Sequence, residues 1–272
     1  MFVLLAKQAS VGVVLMRGGP SLWWHVSLWD TAQDSFESGQ WFRGRIYPEK
    51  CDVSPNGKLF IYFAGKFRPR DVATGYHSTW IAVSRPPYLT ALALWPVGDT
   101  WGGEGVFLDD RSVLITTSVP SFGAEHHPDH PPGPLTVVER SSLDVGDPRR
   151  LAVPGWRSEW KIPLPLTSTG RYPAYSNWRK SSGALVLERD ATTAASRLGC
   201  QYTLRSKDGE QIGLFKAHWA DFDQQGRLVA TVGGRVFAGE VTKSRKLQWR
   251  QLAAMHEEQF TQMEAPTWAR SW

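Results

Sequence analysis

Two stretches decide the fold: Asp52-Val53-Ser54-Pro55-Asn56-Gly57-Lys58-Leu59 and Asp221-Phe222-Asp223-Gln224-Gln225-Gly226-Arg227-Leu228. They share one pattern: Asp, an apolar residue, Ser or Asp, two turn residues, Gly, a basic residue and Leu. Read physically, this is the end of one strand, a tight turn whose Gly supplies a positive φ, and the start of a second strand. Looser copies occur at Trp178-Arg179-Lys180-Ser181-Ser182-Gly183-Ala184-Leu185 and at Phe107-Leu108-Asp109-Asp110-Arg111-Ser112-Val113-Leu114, where Ser112 stands at the Gly position. The matched leucines, Leu59, Leu114, Leu185 and Leu228, lie 55, 71 and 43 residues apart. A recurring hairpin at roughly 40–50-residue spacing is the mark of a repeated β unit carrying unequal insertions.

Outward from each hairpin, further strand-like runs follow. After residues 58–63 come 79–84 (TWIAVS) and 89–94 (LTALAL). After 113–117 come 135–140 (LTVVER) and 150–153. After 184–188 come 201–205 and 210–215, joined through Lys207-Asp208-Gly209, a strong hairpin signal. After 227–232 come 235–240 and 247–251. The front of the chain supplies one more set, at 2–6, 11–16, 22–29 and 41–47. Five sets of four strands predict an all-β fold, a β-propeller of five four-stranded blades. The blades fall near 1–47, 48–95, 101–153, 174–216 and 217–251, followed by a C-terminal tail, 252–272. A β-sandwich or irregular barrel is the alternative, disfavoured by the internal hairpin match.

The hairpin pattern resembles the first turn of WD40-like and related bacterial β-propellers. The run His25-Val26-Ser27-Leu28-Trp29-Asp30 is similar to the third-strand ending that names WD repeats. Trp-Asp occurs once, no Gly-His opens a blade, and the blade lengths are uneven. The resemblance therefore implies a superfamily fold and carries over no activity.

Composition agrees. Of 272 residues, 42% are hydrophobic and 21% charged, ordinary globular usage, while 14 Trp, 12 Phe and 7 Tyr favour strands and large buried surfaces. No run approaches 18 apolar residues, so no membrane span is expected. The apolar run before Lys7 is too short for a secretory signal. Cys51 and Cys200 are far apart without metal-type spacing, which suits a reducing compartment and small buried side chains. Cytoplasm is the expected location. A net charge of +5 is mild, with basic groups at 66–70 (KFRPR), Arg149-Arg150 and 243–246 (KSRK). Basic and aromatic residues interleave at Trp156-Arg157, Phe67-Arg68 and Trp178-Arg179-Lys180, as nucleic-acid contact would need. Acidic residues are spread throughout, so nucleic acid ranks behind protein as a partner.

In a four-stranded meander, the second-to-third connection and the exit from the fourth strand share one end; the other two turns share the opposite end. The long stretches 64–78, 118–134, 154–173 and 189–200 then all fall at the first of these, and 30–40 is the main long connection at the other. Loops built out on one side of a repeat scaffold are where binding concentrates. They carry Phe67, Arg68, Arg70, Tyr76, His77, Phe122, Trp156, Trp160, Arg171 and Tyr172, residue types that binding hot spots favour.

Chemistry is sparse. Glu125-His126-His127-Pro128-Asp129-His130-Pro131 gathers metal-ligand types, but the prolines predict an extended solvated loop. Asp52, Glu104, Glu188 and Asp221 are the acids to weigh for glycoside cleavage, which needs two carboxylates at fixed separation. Asp52 and Asp221 repeat at one motif position, which suits a turn rather than a catalyst. Trp101-Gly102-Gly103-Glu104-Gly105 lacks the Lys and helix of a phosphate cradle and reads as backbone room for a turn. No nucleophile elbow, Walker loop or dinucleotide fingerprint occurs.

The expectation is a non-catalytic platform, a protein-binding subunit or regulator in a bacterial-type complex, with no cofactor and no metal. The alternatives are a carbohydrate-active or other hydrolytic propeller and a nucleic-acid-binding one. Residues 253–263 are expected to form a short helix, and Trp268 and Trp272 to clamp the ring or anchor a partner.

Overall fold

The structure is a computed structural model. It describes residues 1–18, 23–67, 77–100, 102–117, 125–141, 157–158, 178–190 and 199–272. Among the described residues all regular structure is β apart from single 3₁₀ turns, and no helix there is long and apolar enough to cross a membrane. The chain divides into two compact units. One comprises Phe2–Asp147 and Glu258–Trp272, the other Met1 and Pro148–Glu257.

The first unit holds three sheets. The first sheet is an antiparallel meander of β1 (Phe2–Leu5), β2 (Val11–Arg17), β3 (Trp23–Asp30) and β4 (Ser35–Arg43). In the second, β5 (Arg45–Ile46) and β6 (Asp52–Val53) both pair with β7 (Phe60–Gly65), followed by β8 (Thr79–Ser84) and β9 (Ala93–Pro96). The third comprises β10 (Glu104–Phe107), β11 (Ser112–Thr117) and β12 (Thr136–Ser141). In the second unit, β13 (Arg157–Ser158), β14 (Trp178–Ser182), β15 (Leu185–Asp190), β16 (Cys200–Ser206) and β17 (Gln211–Ala217) form one sheet. β18 (Trp219–Phe222), β19 (Leu228–Val232), β20 (Arg235–Val241) and β21 (Leu247–Ala254) form the other.

β7 is buried along its whole length, on both faces, because a sheet lies against each of its sides. Phe60, Tyr62 and Ala64 pack toward Leu4, Val13, Leu15 and Val26 of the first sheet. The alternate residues Ile61 and Phe63 pack toward Phe107, Val113 and Ile115 of the third. Period-2 alternation thus serves two cores at once. In the second unit, Leu187, Tyr202 and Leu204 of one sheet likewise pack with Phe222, Leu228 and Ala230 of the other.

The quoted hairpins form. Gly57 and Gly226 both take φ +75°, and each donates its backbone N–H to the residue three earlier, Ser54 or Asp223. The two then part company. Val53 pairs with Phe60, but Phe222 pairs with Leu228, so the first hairpin holds one more residue before the ladder resumes. Trp178-to-Leu185 closes more tightly still, with Ser182 paired to Leu185 across Gly183-Ala184. The run ending in Asp30 is the third strand of its sheet.

Four expectations are corrected. Residues 30–40 are not a long connection: Asp30 Oδ1 accepts the backbone N–H of Ala32 and Gln33, closing a tight turn from which β4 starts at Ser35. Arg45–Ile46 consequently belongs to the second sheet rather than the first. β12 pairs with β11 in parallel, Ser112 opposite Thr136, so the third sheet is not a simple meander. Residues 253–263 form no helix; β21 runs to Ala254, and a single 3₁₀ turn, Met255–Glu257, follows. The strand expected at 150–153 lies outside the described residues.

Candidate functional site

Each sheet has a turn end, where its first hairpin closes, and a loop end. The turn ends are tied in series within each unit. Gln8 donates its backbone N–H to Pro55 O at 2.8 Å, and Asn56 donates its own to Asp110 Oδ1 at 2.9 Å. These bonds link the first turns of the first, second and third sheets. In the second unit, Ser182 Oγ donates to Gly226 O at 3.5 Å.

The loop end of the second sheet carries the candidate site. Phe67 and His77, at the borders of the β7–β8 connection, are both exposed, Phe67 to 56%, and His77 takes φ +55°. Lys66 between them and the strand places its ammonium 5.4 Å from the Phe42 ring, which meets Trp80 edge-on. Ser78 Oγ donates to Gly98 O and Thr79 Oγ1 to Asp99 O, binding this connection to the one that leaves β9. Arg68, Arg70, Tyr76, Phe122, Trp156, Trp160, Arg171 and Tyr172 lie outside the described residues.

Beside these residues sits a group that the sequence reading did not single out. The Lys50 ammonium donates to Thr100 O at 2.8 Å and Gly102 O at 2.5 Å, and lies 4.9 Å from the Phe63 ring. Arg45 covers Tyr47 at 4.8 Å, and Tyr47 packs on Phe63. Burial pushes the Tyr47 hydroxyl above its ordinary pKa, and Arg45 opposes the shift. The glycines at 103 and 105 give backbone room, but for packing as much as for turning. A Cβ on Gly103 would enter the Phe63 ring, and one on Gly105 would meet Ile61. Together these residues form a cationic and aromatic rim over a rigid strand.

The long connection from β11 does not simply emerge at the loop end. It must return to the turn end, where Thr136 donates its N–H to Arg111 O. On the way, His127 N–H donates to Leu94 O and Leu94 N–H to His130 O, so the histidine segment caps the outer edge of β9. Glu125, His126, Pro128, Asp129 and Pro131 stay exposed to solvent, as a solvated loop requires. Among the described residues, no three His, Cys, Asp or Glu side chains are placed to hold a metal ion.

Asp52, Asp221 and Glu188 have structural partners. Asp52 Oδ2 accepts the Phe107 N–H, and burial raises its pKa to about 6. Asp221 Oδ1 lies 2.5 Å from Lys180 Nζ. Glu188 accepts from Arg205 Nε at 2.9 Å with Arg179 nearby. Glu104 is half-buried at the start of β10. Both cysteines are buried; burial raises the Cys51 thiol pKa, the thiol donates to Tyr47 O, and Cys200 Sγ accepts from Arg189.

No family model matches the chain, and no curated protein matches it. Among solved structures it is similar to an uncharacterized protein of Listeria monocytogenes EGD-e, at 8% identity and a TM-score of 0.32, covering 93% of this chain and 82% of that one. It is also similar to the β-propeller domain of the Trilobed protease from Pyrococcus furiosus, which has an open velcro topology. That likeness has 9% identity and a TM-score of 0.35, covering 95% and 100% of the two chains. At these scores neither likeness bears on what the chain does.

Proposed function

We propose that the chain is a β-propeller of five sheets and acts as a non-catalytic platform for another protein, engaged through the loop ends. Support for the fold comes from consecutive sheets that stack face to face within each unit, with their first turns hydrogen-bonded in series. The observation that carries the function is the asymmetry of the second sheet. Its turn end is short and sealed, whereas its loop end displays Phe67 and His77 beside Lys66, Arg45 and Tyr47. Exposed aromatic and cationic groups on a rigid scaffold suit a protein hot spot. The hydrolytic alternative finds three of its four acids, Asp52, Asp221 and Glu188, in bonds that hold sheets or strands together. The test is affinity purification of the tagged full chain from its native host with mass spectrometry. A stoichiometric protein partner is expected; recovery of none would contradict the platform.

A further inference from the structure

One face of the first sheet carries an aromatic and polar cradle that the chain fills with its own tail. Trp23 lies opposite Arg43, His25 opposite Trp41, and Ser27 opposite Ser38; a bulge in β4 between the last two pairs keeps all six on one face. His25 stacks on Trp41 at 4.4 Å, and its Nε2 lies 3.0 Å from Ser38 Oγ. The Arg43 guanidinium stands 5.9 Å over Trp23.

Two tail residues enter this cradle. The Phe260 ring lies 4.7 Å from Trp23 and 6.2 Å from Trp41, edge-on to the latter. Glu258 Oε2 accepts from Ser38 Oγ at 3.5 Å. Both are two residues apart, so an extended segment presents them on the same side. The hold is shallow, because Phe260 stays 54% exposed. The tail beyond is anchored separately: Gln40 donates to Met263 O, Ala265 and Ala269 are buried against Tyr88, and Trp268 meets Tyr88 edge-on. The Glu258-to-Phe260 stretch can therefore leave its cradle without release of the rest.

We propose that this cradle is a docking site for an extended acidic-x-aromatic segment of another protein, and that Glu258-Gln259-Phe260 is its internal competitor. Trp and Arg are the residue types that dominate such anchors, and the cationic Arg43 with the Ser38 hydroxyl suits an acidic partner rather than a basic one. A site occupied by its own tail binds an outside segment more weakly by the fraction of time that it is free. The inference stands on the tail contacts and is independent of the loop-end reading.

The test uses the full chain and a fluorescein-labelled peptide of residues 256–263 (HEEQFTQM), followed by fluorescence anisotropy. Vacating the cradle with E258A/F260A is expected to tighten peptide binding at least ~tenfold over the wild type, as for a tail that fills the site about nine-tenths of the time. E258Q alone is expected to give a smaller gain and covers the case in which the double variant misfolds. Adding W23A, or changing the peptide's Phe to Ala, is expected to abolish the gain. Equal binding by the wild type and by well-folded vacated variants would overturn the proposal. So would binding indifferent to W23A, or a wild-type chain that exchanges tails into concentration-dependent dimers, which would make a second copy the occupant.

Discussion

Asp52 Oδ2 accepts the backbone N–H of Phe107 at 2.9 Å, tying the first edge of one sheet to that of the next. Asp221 holds the matching position of the repeat but bonds backward, to Lys180 in the preceding sheet, at 2.5 Å. One motif position therefore makes two kinds of tie. The neutral donor at Asp52 and the charged one at Asp221 lead to opposite expectations.

Burial raises the Asp52 pKa to about 6, above its ordinary 3.8. The folded state then binds this proton more tightly than the unfolded chain. Its contribution is fully present below the ordinary value and is lost as pH rises through about 6. Asp52→Asn keeps an acceptor for Phe107 and removes the titration. Relative to the wild type, the variant should gain on the order of 2 kcal/mol between pH 4 and pH 8. Urea denaturation at both pH values measures this, and a difference independent of pH would contradict it.

At Asp221 the partner is a cation with little solvent access. Asp221→Asn strands Lys180 and should cost about 3 kcal/mol at neutral pH. Replacing both residues with apolar ones of similar volume should restore most of that loss. Denaturation midpoints of the single and double variants decide it; a harmless single variant would mean that the ion pair holds nothing.

Gly57 and Gly226 share φ +75° but not their surroundings. Any L residue there costs ~1–2 kcal/mol for the left-handed backbone. A Cβ on Gly57 would also press on Val11, a branched side chain, whereas on Gly226 it meets only the movable Ser182 hydroxyl. Gly57→Ala should therefore lower the melting temperature more than Gly226→Ala. The reverse order would show that the turn contacts are misjudged.

The hairpins were legible because their chemistry is local: an Asp, a Gly with positive φ and a following apolar strand suffice. β4 was not. Its Ser35-Phe36-Glu37-Ser38-Gly39-Gln40 run reads as a loop because it is a polar outer strand, bulged at Gly39, whose outer neighbours come from the β8–β9 connection and the tail. The direction of β12 was equally hidden, since Thr136-Val137-Val138-Glu139 alternates alike in parallel and antiparallel pairing. Lys50 escaped notice because its partners are backbone carbonyls, Thr100 O and Gly102 O, which every residue carries. Of the ten loop residues singled out, Phe67 and His77 can be placed, flanking one connection.

The tail contacts make a further prediction. Residues 258–272 lay Phe260 on the first sheet, bury Ala265 and Ala269 at Tyr88, and bring the Trp272 indole N–H to Pro131 O. As a clamp, the segment should contribute several kcal/mol, so its deletion should lower the melting temperature by roughly 5–10 °C at ~2–4 °C per kcal/mol. The cut falls after Glu257 so that β21 stays whole. An unchanged melt would remove the clamp.

The platform is tested most directly by comparing the two ends of the second sheet in one pull-down. Tagged full-length wild type, a loop-end variant (Lys66→Glu with Phe67→Ala) and a turn-end variant (Lys58→Glu) are expressed at matched levels in the native host, and partners are quantified by mass spectrometry. The account predicts one stoichiometric protein partner that is lost at least ~tenfold, about 1.4 kcal/mol, with the loop-end variant and retained with the turn-end one. A partner retained by the loop-end variant, or lost only with the turn-end one, would contradict it.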